Sequence, residues 1–107
     1  MKRFDESLPI LLEQAEVHQP TAWSWFQVAV AQEGLGDFDG CIESYHRAVA
    51  LDGDDALSLF NLGSVLWNHR SKSEAITVWT VAVKQFPSHP LAAHLRSKLP
   101  QIFGDNA

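Results

Sequence analysis

The sequence has one cysteine and few basic residues, and both shortages exclude classes of protein. Because Cys41 is the single cysteine among 107 residues, the chain contains no internal disulfide and no cysteine-based zinc site. Eight Lys and Arg face thirteen Asp and Glu, which gives a net charge of −5. A chain of that charge does not offer the basic surface that binds a phosphate backbone, so we expect no nucleic-acid partner.

Long apolar runs are also missing. No run approaches the roughly 20 residues that a membrane-spanning helix needs. The start of the chain does not have the unbroken apolar core of a signal peptide, because acids follow Lys2 and Arg3 at once and Pro9 interrupts the next stretch. Together with the lone cysteine, these features predict a cytoplasmic protein that has no membrane contact.

Catalytic and metal-binding motifs are absent from the sequence. It contains no Gly-rich phosphate loop, no G-x-S-x-G and no H-E-x-x-H. The five His are scattered without acids at ligand spacing, and Cys41 is predicted to be a buried packing residue. The segment 52–55 is interpreted as a turn and helix cap rather than a calcium loop. We therefore expect no enzyme activity, no catalytic residue, no metal and no cofactor.

The residues that are present suffice for one small folded domain. Hydrophobic residues make up 46% of the chain and charged residues 20%, a balance that disordered segments do not have. Residues 1–53 carry nine acids and three bases, net −6, whereas residues 54–107 carry four acids and five bases, net +1. This asymmetry favours a partner with positive charge near the N-terminal half.

The chain repeats itself with a period of 34 residues, which aligns 22–55 with 56–89. The identical pairs are Ala22/Ala56, Ser24/Ser58, Phe26/Phe60, Ile42/Ile76, Ala48/Ala82 and Val49/Val83. Further pairs match small with small residues (Ala29/Gly63, Cys41/Ala75) and aromatic with aromatic (Tyr45/Trp79). Because these pairs fall at helical spacing, the two units are predicted to fold alike.

Each unit is predicted to contain two helices. Apolar residues on one helical face precede the break at residues 34–36, and Asp37 is the predicted N-cap of the next helix. The Ser71-x-x-Glu74 pattern is a capping box at the corresponding place in the second unit. The predicted helices with defined ends are Phe38–Leu51, Ala56–His69 and Lys72–Gln85.

The ends of the chain are predicted to cap the repeats. A helix over about 5–18 is expected to tolerate Pro9 because it lies in the first turn, and a last helix over about 90–103 to be ended or kinked at Pro100. The predicted class is all-α with about six helices in one domain. Its parts are an N-terminal capping helix (1–21), repeat 1 (22–55), repeat 2 (56–89) and a C-terminal capping helix with tail (90–107).

These residues resemble the tetratricopeptide (TPR) repeat, with its W-x2-L-G-x2-Y, A-x3-F, A and P pattern over 34 residues. Repeat 1 carries the pattern at Trp25, Val28, Ala29, Tyr45 and Ala48; repeat 2 carries it at Leu59, Leu62, Gly63, Trp79, Ala82 and Pro87. Gly53, Arg70 and Lys72 depart from it in the turns. The resemblance implies antiparallel helical hairpins in a short right-handed superhelical stack.

The resemblance also implies a protein-binding or scaffold module, because the first helices of TPR repeats line a groove for a partner's peptide or helix. By position, the groove residues are Trp23, Phe26, Val30 and Glu33 in repeat 1 and Leu57, Phe60, Asn61, Ser64, Trp67 and Asn68 in repeat 2, with Leu91, His94 and Lys98 added by the last helix. The four aromatic residues would form one stripe. Burial of Trp23 or Trp67 under the flanking helices is the alternative, whereas Trp25 and Trp79 are predicted to be core.

Two further expectations concern the partner. TPR domains that hold the C-terminal carboxylate of chaperones use Lys, Asn and Arg at positions that Phe26, Val30, Leu91 and Leu95 occupy here, and Asn61 alone matches. A hydrophobic or mixed peptide is therefore expected instead of such a carboxylate. The alternative function is a structural role, in which exposed apolar surface is buried in a homodimer or larger homo-oligomer.

Overall fold

Polar side chains determine where most of the helices begin. Thr21, Asp37, Asp55 and Ser71 each accept a hydrogen bond from the backbone N–H three residues later, as N-cap residues do. At Thr21 the bond is reciprocal, because its own N–H donates to the Ser24 hydroxyl at 2.9 Å. The caps predicted at Asp37, Asp55 and Ser71 are thus confirmed.

The computed structural model describes residues 4–18 and 20–104. Within these ranges the chain forms seven α-helices and one π-helical turn, with no strand, so the predicted all-α class is confirmed. The elements are α1 (Phe4–Glu13), the π-helical turn (Gln14–His18), α2 (Ala22–Gly34), α3 (Phe38–Leu51), α4 (Ala56–His69), α5 (Lys72–Gln85), α6 (Pro90–Lys98) and α7 (Pro100–Phe103). The bounds of α3, α4 and α5 agree with those predicted. The predicted capping segments also include residues 1–3, 19 and 105–107, which lie outside the described ranges.

Of the two expectations about proline, the break at Pro100 is confirmed and the first-turn position of Pro9 is wrong. The last helix is divided, because Leu99 takes a non-helical backbone (φ −128°, ψ 62°) and Pro100 begins α7; a proline disfavours helical geometry in the residue before it. The described helices therefore number seven rather than six. Pro9 lies inside α1 and not in its first turn, so the helix lacks one backbone donor there.

Each helix packs chiefly on its neighbours in the chain: α1 on α2, α2 on α3, α3 on α4, and α4 on α5. The molecule is correspondingly elongated, at 46 × 24 × 23 Å. Small residues lie where the helices come closest, and Ala29, Cys41, Ala48, Ala75 and Ala82 are all fully buried. Close approach of this kind requires residues with little or no side chain.

Two groups of buried side chains form the core. The larger runs through α2 to α7 and includes Tyr45, Leu62 and Trp79, and the smaller joins Trp25 and Val28 to the α1 region. Trp25 and Trp79 are each 7% exposed, which confirms their predicted core positions. The core therefore lies between successive helices.

Candidate binding groove

A cavity of about 270 Å³ lies between α4 and α6. It is lined by Phe60, Asn61, Ser64, Trp67, Asn68, Trp79, Leu91, His94, Leu95, Lys98 and Leu99. Eight of these residues are groove positions predicted from the sequence, five on α4 and three on α6. The structure thus brings the second half of the predicted groove together around one cavity.

The floor of the cavity is aromatic and apolar. Phe60 is only 2% exposed, so its predicted role as an open contact in the groove is corrected: the ring is covered, and it stacks on His89 with 5.1 Å between ring centroids. The Phe60 carbonyl accepts a hydrogen bond from Trp79 Nε1 at 3.0 Å. Phe60 and Trp79 therefore support the site from below.

Trp67 forms part of the wall. Its ring is half-buried, its centroid lies 5.5 Å from that of Trp79, and the Lys72 ammonium lies over it at 5.0 Å. The two alternatives predicted for this residue thus both apply in part, since one portion of the ring packs and another faces the cavity. A half-buried, rigid aromatic wall is typical of residues that dominate binding energy.

The rim of the cavity is polar and carries no acid among the described lining residues. Ser64, Asn68, His94 and Lys98 are exposed there. Asn61 lies near the hydroxyl of Tyr45, whose pKa is raised chiefly by burial. Asn61 is half-buried and Asn68 is exposed, so the amide of Asn68 is the more accessible of the two to a ligand.

All but one of the remaining predicted groove residues lie in two other hollows. Trp23, Phe26 and Val30 face α1 across a hollow of about 290 Å³. Trp23 and Phe26 also line a hollow of about 180 Å³ with Leu57. Glu33 lines neither of these hollows nor the α4–α6 cavity; it lies beside the buried Cys41.

The predicted aromatic stripe is divided into separate ring contacts. Trp23 stacks on Phe26 with 5.4 Å between centroids and 11° between planes, and Phe26 meets the edge of Tyr45 at 5.9 Å. Phe60 contacts His89 and Trp67 contacts Trp79 instead. Because Trp23 is 63% exposed, the alternative that the flanking helices bury it is wrong.

Sequence reasoning missed several lining residues. The repeat pattern predicts only a core position for Trp79, and no motif in the sequence assigns Leu99 to the groove. Asp52 and Asp55, which line the 180 Å³ hollow with Trp23, were interpreted as turn and cap residues. That interpretation is correct for Asp55, since its carboxylate accepts hydrogen bonds from the Ser58 N–H and hydroxyl, but it did not show that both acids face α2.

The remaining reactive groups are few in the described part of the chain. Cys41 is fully buried, and burial, with Glu33 and Asp37 nearby, raises the pKa of its thiol to about 12. The thiol therefore stays protonated at neutral pH, and a thiol is a poor nucleophile compared with a thiolate. The described residues include no group of three or more His, Cys, Asp or Glu that could hold a metal ion.

Comparisons with known proteins assign no family to the chain. No protein-family model and no curated protein matches the sequence. Among the described helices, none is both long and apolar enough to cross a membrane. The α4–α6 cavity and the residues around it are thus the features that bear on function.

Proposed function

We propose that the chain is a TPR-like interaction module that binds a peptide or helix of a partner protein along the surface of α2, α4 and α6. The observation that carries the proposal is the α4–α6 cavity, where eight residues assigned to a groove from sequence alone lie around one space. Its aromatic floor and polar rim suit a protein segment, because ligand sites are mostly apolar with a few polar groups that fix orientation.

The internal repeat supports the TPR-like architecture. The N-caps Thr21 and Asp55 are 34 residues apart, and so are Asp37 and Ser71. The helices they begin pack in pairs, α2 with α3 and α4 with α5, through the small residues of the repeat. Two equivalent hairpins that stack in sequence would place α2, α4 and α6 on the same side of the molecule.

The lining of the cavity favours an apolar side chain as the central contact. Leu91 and Leu95 present aliphatic surface opposite Trp67, while Asn68 and Ser64 can bond the amide groups of a bound backbone. Leu91 and Leu95 replace the basic residues with which chaperone-binding TPR domains hold a terminal carboxylate, and the basic His94 and Lys98 lie at the rim of the cavity. A hydrophobic or mixed segment is therefore the proposed ligand.

Filling the cavity should abolish binding. Ser64 is exposed on α4, and its hydroxyl donates to the Phe60 carbonyl at 3.3 Å. The substitution Ser64→Trp places an indole in the cavity, so we expect at least about a tenfold loss of affinity, as for removal of a hot spot. The measurement is the affinity, by fluorescence anisotropy, of peptides selected on the unmodified protein from a random library.

Thr77→Trp is the matched control. Thr77 is also exposed on a helix, and its hydroxyl makes the same kind of bond, to the Ser73 carbonyl at 3.2 Å, but it does not line the cavity. We expect this variant to retain the affinity of the unmodified protein. Equal affinities for all three proteins would show that the selected peptides bind elsewhere.

Self-association is the second candidate function, and a separate observation favours it. Ile10 and Val17 are 65% and 69% exposed on the α1 side, away from the α4–α6 cavity. Exposed apolar residues of this kind are buried when copies assemble. Light scattering over a range of concentrations distinguishes the two functions, because a mass that rises above the 11.9 kDa of one chain favours assembly.

A further inference from the structure

The hollow of about 180 Å³ combines exposed aromatic surface with two carboxylates. It is lined by Ala22, Trp23 and Phe26 from α2, by Asp52 and Asp55 from the turn between α3 and α4, and by Leu57 from α4. None of these described lining residues is basic. Trp23 and Leu57 are 63% and 43% exposed, so the hollow opens to solvent.

Trp23 differs from the other three tryptophans in having no polar or charged partner among the described residues. Trp25 lies under the Arg47 guanidinium at 4.8 Å, and Trp67 lies under the Lys72 ammonium at 5.0 Å. Trp79 donates its N–H to the Phe60 carbonyl. Trp23 only stacks on Phe26, and an exposed indole face is the best aromatic surface for a cation.

The two carboxylates are held in place by the turn. The Asp52 carboxylate accepts the Asp54 N–H at 2.9 Å, and Gln85 of α5 donates to the Gly53 carbonyl at 2.7 Å. The Asp55 carboxylate is occupied by Ser58 at the start of α4, so Asp52 has the greater capacity for another donor. A fixed carboxylate beside an exposed indole offers both of the contacts that a guanidinium or ammonium makes.

We propose that the bound partner segment carries an arginine or lysine whose cationic head lies on Trp23, with Asp52 and Asp55 as its counter-charge. This inference rests on the proposed function, because it assigns one end of the same binding surface. The other end of the binding surface is the α4–α6 cavity, where His94 and Lys98 lie and where no described lining residue is acidic. The segment would therefore bind in one direction, with its basic residue at α2 and its apolar residue between α4 and α6.

A small cationic probe tests the site without knowledge of the partner. Nα-acetylarginine amide is titrated into the full chain, and Nα-acetylcitrulline amide, its neutral isostere, is titrated at equal ionic strength. Concentrations of about 100 mM are needed because a single exposed cation contact is weak. The readout is the indole N–H resonance of Trp23, assigned by its loss in Trp23→Phe.

We expect arginine to shift the Trp23 resonance at least about threefold more than citrulline does. The indole of Trp79 is the internal reference, since it is buried and bonded to Phe60, and its resonance should not move. Asp52→Asn should reduce the arginine-induced shift about two- to fivefold, because Asn keeps an acceptor for the Asp54 N–H but loses the charge.

Asp54→Asn is the matched control for charge. It removes one carboxylate from the same turn, but Asp54 does not line the hollow, so this variant should retain most of the shift. Equal shifts for arginine and citrulline would overturn the proposal, and so would equal losses in the two Asn variants.

Failure here can be distinguished from failure of the proposed function. If arginine does not shift the Trp23 resonance while Ser64→Trp still abolishes peptide binding, the proposed groove is supported and the proposed cation site is wrong. If arginine shifts the Trp23 resonance as expected while Ser64→Trp leaves peptide binding unchanged, the proposed cation site is supported and the proposed groove is wrong.

Discussion

At the scale of single residues, neighbours decide what each tryptophan does. The sequence identifies Trp25 and Trp79 as core because they occupy repeat positions at which two helices meet. It could not decide between burial and exposure for Trp23 and Trp67. The outcome depends on whether another helix supplies a covering side chain. Trp79 of α5 packs on Trp67, whereas Trp23 stays 63% exposed.

Gly63 offers a test of the close approach between α4 and α5. A Cβ at this position would overlap the Trp79 indole, whose N–H must also reach the Phe60 carbonyl. We expect Gly63→Ala to lower the free energy of unfolding by about 1–3 kcal/mol, as overpacking does, despite the higher helix propensity of Ala. Urea unfolding followed by circular dichroism measures this change.

Gly53→Ala is the control for the same chemical change. A Cβ at Gly53 has no atom within 4 Å, so the free energy of unfolding should stay within about 0.5 kcal/mol. A Gly63→Ala variant as stable as the unmodified chain would mean that α4 and α5 do not approach each other as described.

At the scale of helices, local signals predict some boundaries and miss others. The bounds of α3, α4 and α5 were predictable because polar caps begin each helix. The interior position of Pro9 was not, since the extent of α1 toward the N-terminus has no cap signal in the described residues. The π-helical turn at Gln14–His18 was not predictable either, because no residue pattern in the sequence indicates it.

The cap of α2 provides a prediction at this scale. Thr21→Val keeps the shape of the side chain but removes the oxygen that accepts the Ser24 N–H at 3.1 Å. We expect a loss of about 1 kcal/mol in the free energy of unfolding, measured by urea unfolding. Thr77→Val should cost less than about 0.5 kcal/mol, because the Thr77 hydroxyl bonds only to a helical carbonyl; equal costs would contradict the capping role.

At the scale of the molecule, the sequence predicted which residues share a surface but not how that surface is divided. Eight predicted positions line one cavity between α4 and α6, and these positions were assigned by the resemblance to TPR repeats. The covering of Phe60 by His89 depends on the turn before α6, which lies beyond the second repeat. The two acids opposite Trp23 come from a turn, and repeat patterns carry little information about turns.

Binding of a partner segment between α4 and α6 can be located residue by residue. Amide and side-chain chemical-shift changes are mapped when a library-selected peptide is added to the isotope-labelled chain. We expect the largest changes around the cavity, at Ser64, Trp67, Asn68 and Lys98. The largest changes at Thr77 and Val81 on α5, or at Ile10 and Val17 on the α1 side, would contradict it.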